Sequence, residues 1–384
     1  MKAELSSIGR KEEEVMAAGS GIGNLFRIST WGESHGKGVG VVVDGCPAGL
    51  SLCEEDIQVY LNRRKPGTSR FTTPRKEDDC VEILSGVFEG KTTGTPISMV
   101  VFNKTQRSKD YSEIASYYRP GHADYTYDEK YGFRDYTGGG RSSGRETIGR
   151  VAAGAIAAKL LKEMGISVDA YTKSIGPVGI SYESFDLEQR FENAVCMPDA
   201  ENAKKAAEYL EVCMAQHNSS GGVIECSVKG VPAGLGEPCF EKLSANLGKA
   251  VLSIGAVKGF EIGDGFAVAE ATGLSNNDAF YYDEAGNIQK KTNHAGGILG
   301  GISDGNEIVF RAAIKPTPSI FADQETVNKS GENISVNIKG RHDPVIVPRA
   351  VVVVECMAAI TVLDALLVNM SAKVDNIKKF YDKL

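Results

Sequence analysis

Histidines in short glycine-rich loops are the residues of this chain best suited to proton transfer. Of the 5 histidines, 4 stand in such strings: His35 in GESHG, His122 in RPGHAD, His294 in NHAGG and His342 in GRHDP. Imidazole gains and loses its proton near neutral pH, and a neighbouring glycine lets a ligand or another backbone approach closely. Any one of them could instead be hydrogen-bonded to a loop carbonyl. Together, the four favour a catalytic site.

Two polar loops, at residues 62–70 and 138–146, concentrate guanidinium groups. Their arginines are Arg63, Arg64, Arg70, Arg141 and Arg145. Arginine binds carboxylate or phosphate through two parallel hydrogen bonds, which lysine cannot do. In the second loop, GGGRSSGRE, glycine N–H groups, two serine hydroxyls and the start of a following helix can all face an anion. That loop is interpreted as a phosphate cradle, although either loop could be a solvated turn with surface charge.

Composition limits the class of protein. The 384 residues suffice for two or three domains, or for one large domain with insertions. The net charge of −7 disfavours nucleic acid or an anionic membrane as a partner, because both usually bind a basic surface. The 44 glycines occur without low-complexity repeats and indicate loops with special backbone conformations. The arginine loops are local exceptions that suit a small polyanion.

Cysteine spacing and the ends of the chain indicate the compartment. The 8 cysteines form no C-x-x-C pair and no zinc-type spacing with the histidines, so buried free thiols, no metal and a reducing cytoplasm are expected. Residues 1–22 lack a secretory apolar stretch and are predicted to be a flexible extension before one catalytic domain at 23–384. The apolar stretch 350–370 contains Glu355 and Asp364 and is predicted to be a buried helix.

The elements that position these loops are predicted to be mixed. Runs rich in β-branched residues indicate buried strands at residues 39–44, 97–102 and 308–314. Apolar residues at helical spacing predict helices at 145–164, from the cap Asp199 to about 216, and after Pro348, followed by a charged helical tail. In the first of these helices, Gly149 and Gly154 imply close packing against a neighbour.

Nucleotide-binding fingerprints are missing. No strand-linked G-x-G-x-x-G with a downstream acid and no G-x-x-x-x-G-K-[ST] occurs, which disfavours the common dinucleotide and P-loop sites. Glycine-containing loops recur instead, at 253–259, 263–265, 296–301 and 315–319. A site assembled from loops so far apart implies one compact domain, although a G-G-x-x-G-G string is usually a tight turn.

Six strings, taken in order, resemble the chorismate synthase family. They are GESHG at 32–36, RPGHAD at 119–124, GGGRSSGRE at 138–146, HAGGILGGI at 294–302, KPTPS at 315–319 and GRHDP at 340–344. The resemblance covers about residues 23–367. It implies conversion of 5-enolpyruvylshikimate 3-phosphate to chorismate and phosphate, the last step of the shikimate pathway, with reduced FMN and no net redox change. It further implies α+β subunits, each a β-α-β sandwich, assembled as a homotetramer.

The resemblance also implies roles for individual residues. His35 matches the family's histidine at the leaving phosphate, and His122 matches its second histidine, where a positive charge favours the anionic reduced flavin. Asp343 matches a residue that helps flavin N5 accept the proton lost from the substrate ring. The substrate carries a phosphate and two carboxylates, for which the candidates are Arg63, Arg64, Arg70, Arg141 and Arg145.

FMN contacts follow from the same resemblance. They fall on Arg141, Ser142, Ser143, Gly255, Ala256, Gly300, Lys315, Pro316, Thr317, Pro318, Ser319 and Arg341. Arg64 and Arg70 match positions assigned to NADP or to substrate. Three positions depart from the family pattern: Gly144 replaces alanine, Lys65 replaces a third arginine, and Gly255 replaces asparagine or proline. These departures put the rigidity and affinity of the flavin loops in doubt.

Two other functions stay open at this level. A flavin-dependent NAD(P)H reductase is disfavoured because the dinucleotide fingerprint is missing. A non-catalytic protein that binds a phospholigand or RNA is disfavoured by the negative net charge and the loop histidines. No extra domain of the size that a built-in reductase needs is expected from the sequence. We therefore expect an outside source of electrons, such as an external flavin reductase, with NADPH only as reductant for the flavin.

Overall fold

The computed structural model describes residues 19–67, 69–72, 78–104, 113–338 and 343–382. In this part of the chain, two five-stranded antiparallel sheets enclose a layer of helices between them. The α+β class and the β-α-β sandwich expected from the resemblance are confirmed.

The first sheet contains the chain's valine-rich strand. Its strands are β1 (Gly21–Ile22), β2 (Arg27–Gly32), β3 (Gly38–Asp44), β4 (Val81–Ile83) and β7 (Ile97–Phe102). They lie in the order β1-β2-β3-β7-β4, and the hairpin β5 (Val87–Phe88) and β6 (Lys91–Thr92) is separate. In β3, Val39, Val41 and Val43 are fully buried because this strand lies inside the sheet beneath the helices.

The second sheet has the order β11-β16-β10-β8-β9. Its strands are β8 (Ser167–Ile175), β9 (Val178–Gly179), β10 (Gly222–Lys229), β11 (Val257–Ile262) and β16 (Ile308–Ile314). Three two-stranded hairpins stand apart: β12 (Phe280–Tyr282) with β13 (Ile288–Lys290), β14 (Ile298–Leu299) with β15 (Ile302–Ser303), and β17 (Asp323–Val327) with β18 (Asn333–Asn337).

Eight helices occur in the described residues. They are α1 (Glu54–Arg64), α2 (Asp124–Tyr131), α3 (Thr147–Glu163), α4 (Ala200–Ala215), α5 (Leu243–Leu252), α6 (Gly273–Asn276), α7 (Val347–Asn369) and α8 (Val374–Tyr381). The central pair is α3, which packs on the first sheet, and α7, which packs on the second. A Cβ atom on Gly154 of α3 would stand 2.2 Å from Cβ of Cys356 in α7, so the predicted close packing is confirmed.

Most of the predicted elements are confirmed. The strands predicted at 97–102 and 308–314 coincide with β7 and β16, and Asp199 caps α4 by accepting a hydrogen bond from the N–H of Asn202 at 3.0 Å. The helix predicted after Pro348 begins one residue earlier, at Val347, so that Pro348 lies in its first turn. Proline is tolerated there because the first turn of a helix does not need the N–H that proline lacks.

Helix α7 is long and apolar enough to cross a membrane, yet most of it is buried between the sheets. Its two acidic groups are both bonded. Glu355 accepts two hydrogen bonds from Arg63, at 2.6 and 2.8 Å, and Asp364 accepts backbone N–H groups of Leu25 and Phe26. The predicted buried helix is confirmed.

Two expectations need correction. All 8 cysteines are free, but Cys53, Cys80 and Cys239 are exposed, because they lie in connecting segments and not on the faces that pack into the core. The expectation of buried thiols is wrong for these three. Gly21 and Ile22, at the end of the predicted flexible extension, form β1 and pair with β2. Residues 1–18 lie outside the described part of the chain.

Candidate active site

A cavity of about 1290 Å³ lies where loops of both sheets meet the first turns of α3 and α7. Its lining contains 10 Lys and Arg side chains: Arg64, Lys104, Lys130, Arg141, Arg145, Arg150, Lys249, Lys258, Lys315 and Arg349. Among the described residues, the lining contains 2 acidic ones, Glu146 and Asp343, and each is ion-paired with an arginine. In a chain of net charge −7, this composition concentrates positive potential at one place.

His35 lies in the loop after β2 and lines this cavity. Its Nδ1 is 3.2 Å from Oγ of Ser34, and that hydroxyl donates to the carbonyl of Gly138 at 3.2 Å. Gly138 belongs to the GGGRSSGRE loop and has a φ of +74°. The His35 loop and the GGGRSSGRE loop, about a hundred residues apart in sequence, are therefore joined at the histidine.

His122 also lines the cavity, and both of its ring nitrogens have partners. Nδ1 is 3.0 Å from the carbonyl of Pro120, and Nε2 is 3.0 Å from Oγ of Ser319. Because a carbonyl can only accept, Nδ1 must donate, and Nε2 of the neutral ring accepts from the serine hydroxyl. Burial, followed by the positive charge of Arg119, lowers the pKa of His122 to about 4. The ring is therefore neutral at pH 7 in the ligand-free chain, and a positive charge there requires an anion beside it.

The loops around residues 119–124 and 315–319 form one unit. Nζ of Lys315 donates to the carbonyl of Gly121 at 2.5 Å, and a Cβ on Gly121 would stand 2.7 Å from Pro318. Within the first loop, Arg119 donates to both carboxylate oxygens of Asp124 at 2.8 Å. These contacts hold His122 and Lys315 on the same wall of the cavity.

The GGGRSSGRE loop is tied to the strand β2 and to the loop after α5. Nη2 of Arg141 donates to Oγ1 of Thr30 at 2.7 Å, and that hydroxyl donates to Glu146 at 2.8 Å. Glu146 also accepts from Nε of Arg150 at 2.8 Å, and Nη1 of Arg150 donates to Oγ of Ser253 at 2.5 Å. The predicted flavin residues at 141–143 and 255–256 thus line one cavity.

Asp343 lies just before α7 and bonds to its first turn. Its Oδ2 accepts from Nη1 of Arg349 at 2.5 Å, and Nε of Arg349 donates to the carbonyl of Arg64 at 3.0 Å. The N-cap of α7 is Ile346 and has no side-chain cap, so Asp343 does not cap this helix. Arg341, predicted to contact FMN, lies outside the described residues, as does His342.

Several predicted site residues lie away from the cavity lining. Arg63 is bonded to Glu355 of α7, and Arg70 forms an ion pair with Glu211 on the surface, where its side chain is 65% exposed. Gly300 lies in the turn between β14 and β15, as expected for a G-G-x-x-G-G tight turn. Pro316 and Ser319 do not line the cavity, but Ser319 is hydrogen-bonded to the lining residue His122.

The third loop histidine with a described position, His294, lies outside the cavity lining. Its Nδ1 is 2.6 Å from Oδ2 of Asp264, and its backbone N–H donates to Asp278 at 2.8 Å. In this loop, glycines approach other backbones closely: a Cβ on Gly296 would stand 2.4 Å from the backbone nitrogen of Gly263. This histidine therefore belongs to a turn that supports β11 and β16.

The departures from the family pattern cause no strain. A Cβ on Gly144 or on Gly255 would have no atom within 4 Å, so a larger residue at either position would project into open space. Lys65 lies at the end of α1, where its Nζ donates to Asn62 at 3.0 Å, and it does not line the cavity. The doubt about the rigidity of the flavin loops finds no steric basis at these positions.

Two residues that no motif suggested, the buried Asp79 and the half-buried Asn103, organise the arginines of the cavity. Asp79 lies at ion-pair distance from both Arg64 and Arg145. Asn103 lines the cavity, and its Oδ1 accepts from Nε of Arg145 at 2.6 Å. Both residues stand in sequence that contains no glycine-rich or arginine-rich string, so only their positions in space identify them.

Comparisons with known proteins identify relatives of this chain by sequence and by fold. A family model described as chorismate synthase matches residues 26–367. The chain is 70% identical over 367 residues to the chorismate synthase of Agathobacter rectalis, covering 96% of this chain and 100% of the relative. It is 54% identical over 355 residues to that of Cytophaga hutchinsonii, covering 92% and 99%. A solved structure titled "Crystal Structure of Chorismate Synthase" matches with a TM-score of 0.72 and 31% identity, over 94% of this chain and 98% of that one.

Proposed function

Since this chain belongs to the chorismate synthase family of lyases, we propose that it eliminates phosphate from 5-enolpyruvylshikimate 3-phosphate to form chorismate. The reaction is an anti-1,4-elimination, in which a ring proton and the phosphate leave. The observation that carries the proposal is the charge of the cavity, whose described lining has 10 Lys and Arg side chains against 2 paired acids. A substrate with one phosphate and two carboxylates requires such a concentration of cations.

His35 is the group proposed to act on the leaving phosphate. When the C–O bond breaks, negative charge grows on the phosphate oxygen, and an imidazolium beside it donates a proton or stabilises that charge. Such assistance contributes on the order of 10²- to 10⁴-fold in rate. The contacts of His35 with Ser34 and Gly138 restrict the orientation of the ring, and Arg64 and Arg145 line the same cavity.

The residues of the cavity also fit reduced FMN. The cations can neutralise the flavin phosphate, and the open space beside Gly144 and Gly255 leaves room for a flat ring system against the loops. The lining residues proposed to hold it are Arg141, Ser142, Ser143, Gly255, Ala256, Lys315, Thr317 and Pro318. When bound, reduced FMN would supply transient electron density for C–O cleavage without net redox change.

Asp343 is proposed to handle the proton lost from the substrate ring, and His122 to carry the positive charge that favours the anionic reduced flavin. Asp343 offers a carboxylate in the cavity, with Oδ2 held by Arg349, and can take up or relay that proton. His122 can gain a proton at Nε2 when an anion binds beside it, because Nδ1 already donates to the carbonyl of Pro120. Both residues line the cavity that contains His35.

A strictly anaerobic assay tests this function. The chain is mixed with 5-enolpyruvylshikimate 3-phosphate and a small amount of photoreduced FMN, and chorismate and phosphate are both measured. We expect many products per reduced flavin and none with oxidised FMN alone. The same assay is repeated with oxidised FMN and NADPH but without an external flavin reductase. It should yield no product if the chain cannot reduce its own flavin. Product limited to one equivalent of reductant would contradict the proposal and indicate a reductase.

We also propose that the chain acts as a homotetramer. Large apolar side chains are exposed between β11 and β14: Phe266 is 80% exposed, Leu274 96% and Tyr282 74%. Several large exposed apolar side chains in one segment of a chain often belong to an interface between chains. Light scattering of the peak that elutes from a size-exclusion column should give a molar mass about four times the chain mass of 41.0 kDa. The mass of a monomer would contradict the assembly.

A further inference from the structure

Asp79 lies behind the cavity wall, between two arginines of the lining. Its Oδ2 is 3.2 Å from Nη2 of Arg64, and its Oδ1 is 3.0 Å from Nη1 of Arg145. The carboxylate is fully buried, while the arginine side chains are 3% and 12% exposed. One buried carboxylate therefore has both cations as near neighbours at a place where water screens little.

Each of the two arginines also contacts a neutral group of the cavity wall. Nε of Arg145 donates to Oδ1 of Asn103 at 2.6 Å, and Nη1 of Arg64 donates weakly to the carbonyl of Gly144 at 3.4 Å. Among the described residues, Asp79 supplies a carboxylate that both guanidinium groups share. This shared ion pair restricts the direction of both arginines.

The carboxylate of Asp79 reduces the repulsion between the two cations. Without it, the guanidinium groups of Arg64 and Arg145 would lie near each other in a poorly solvated wall. The backbone of Asp79 has a φ of +46°, which residues other than glycine rarely adopt. Such strain commonly occurs at functional sites. Here it accompanies a carboxylate placed between the two arginines.

We propose that Asp79 is a positioning residue for substrate recognition. It sets the direction of Arg64 and Arg145, which line the cavity, so that their guanidinium groups receive an oxyanion of the bound molecule, and it does not touch that molecule. The identity of the substrate rests on the function proposed above, but the positioning of the two arginines applies to any phosphorylated carboxylate that enters the cavity.

The test compares Asp79→Asn with wild type. Asparagine keeps the size of the side chain and removes its charge. If Asp79 positions the arginines, both KM and the calorimetric Kd for 5-enolpyruvylshikimate 3-phosphate should rise by about tenfold or more, with kcat changed by less than about threefold. Asp79→Glu, which restores the charge, should recover part of the affinity. If Asp79 only reduces the positive charge of the cavity, Asp79→Asn should bind the substrate more tightly, and that result would overturn the proposal.

A matched control separates positioning from stability. Asp169→Asn breaks another largely buried ion pair, with Arg190 at 2.8 Å, that lies outside the cavity lining. It should lower Tm without changing KM. Asp79→Asn with lowered Tm and unchanged KM and Kd would overturn the proposal. If wild type gave no chorismate, the proposed function would fail, and binding of inorganic phosphate would then decide the role of Asp79: weaker binding by the variant supports positioning, and equal binding refutes it.

Discussion

Gly138 and His35 are in such close contact that a Cβ atom on the glycine would stand 2.1 Å from both Nδ1 and Cε1 of the imidazole ring. The backbone of one loop is therefore the wall against which the histidine of another loop rests. Gly138 also has a φ of +74°, which favours glycine. Both the conformation and the contact require glycine here, and the position of His35 depends on it.

Gly138→Ala should displace His35 and lower kcat by about tenfold or more, since a methyl group cannot fit beside the ring. Gly165→Ala is a matched control: Gly165 has the same φ of +74°, but a Cβ there would have no atom within 4 Å. Both variants carry the backbone strain, and only the first carries the clash. Equal kcat values per folded chain in the two variants would show that the contact with His35 has no catalytic effect.

Gly154→Ala should destabilise the fold, because its Cβ would stand 2.2 Å from Cβ and 2.6 Å from Cα of Cys356 on the neighbouring helix. Overpacking of this kind costs about 1–3 kcal/mol or more of unfolding free energy, measured by urea unfolding. Gly248→Ala in α5 is the control, since its Cβ would meet Phe260 at an ordinary 3.5 Å. Alanine favours helix, so that variant should be neutral or slightly more stable. A stable Gly154→Ala would mean that α3 and α7 can separate without cost.

Asn103→Asp should loosen the loop of His35. The amide nitrogen of Asn103 donates to the carbonyls of Glu33 at 3.1 Å and Gly36 at 2.9 Å, while its oxygen accepts from Arg145. Aspartate keeps the acceptor but loses both donors and repels the two carbonyl groups. We expect kcat to fall by about tenfold and amide exchange at residues 33–36 to become faster. Unchanged exchange together with wild-type kcat would contradict this role.

Asp343→Asn should keep stability and FMN affinity within about a few-fold but lose about tenfold in kcat, because an amide cannot take up a proton. The kinetic isotope effect should increase when the departing ring hydrogen is deuterated. Arg349→Gln is the control, because it breaks the same pair at 2.5 Å and leaves the carboxylate in place. If both variants lose activity and stability equally, Asp343 serves only as the partner of Arg349.

The ligand-free chain should lose stability as the pH falls from about 6.5 to about 4 through the titration of His122. Its pKa is lowered to about 4 in the folded chain, whereas an unfolded histidine titrates near 6.5. Between these values the unfolded state binds more protons, so acid favours unfolding, and above about pH 6.5 this group has no effect. Urea unfolding at several pH values should show a smaller pH dependence for His122→Gln. An equal dependence in both proteins would mean that His122 titrates normally.

Local sequence pattern was enough to predict the buried strands, the capped helix after Asp199 and the burial of α7. A strand such as β3 favours β-branched residues, and a side-chain acceptor such as Asp199 stabilises a helix start, so these signals are recognised within a few residues. The six loop strings, taken in their order along the chain, likewise predicted His35, His122 and Asp343 as site candidates. All three line one cavity in the structure.

The partners of those candidates depend on tertiary structure. Arg63 and Arg64 are neighbours in the chain, yet one bonds to Glu355 and the other lines the cavity beside Asp79, because successive residues of a helix point in different directions. The low pKa of His122 arises from burial and nearby cations. Asp79 and Asn103 carry no local signature. Long-range packing places them, and only the fold shows which arginines they hold.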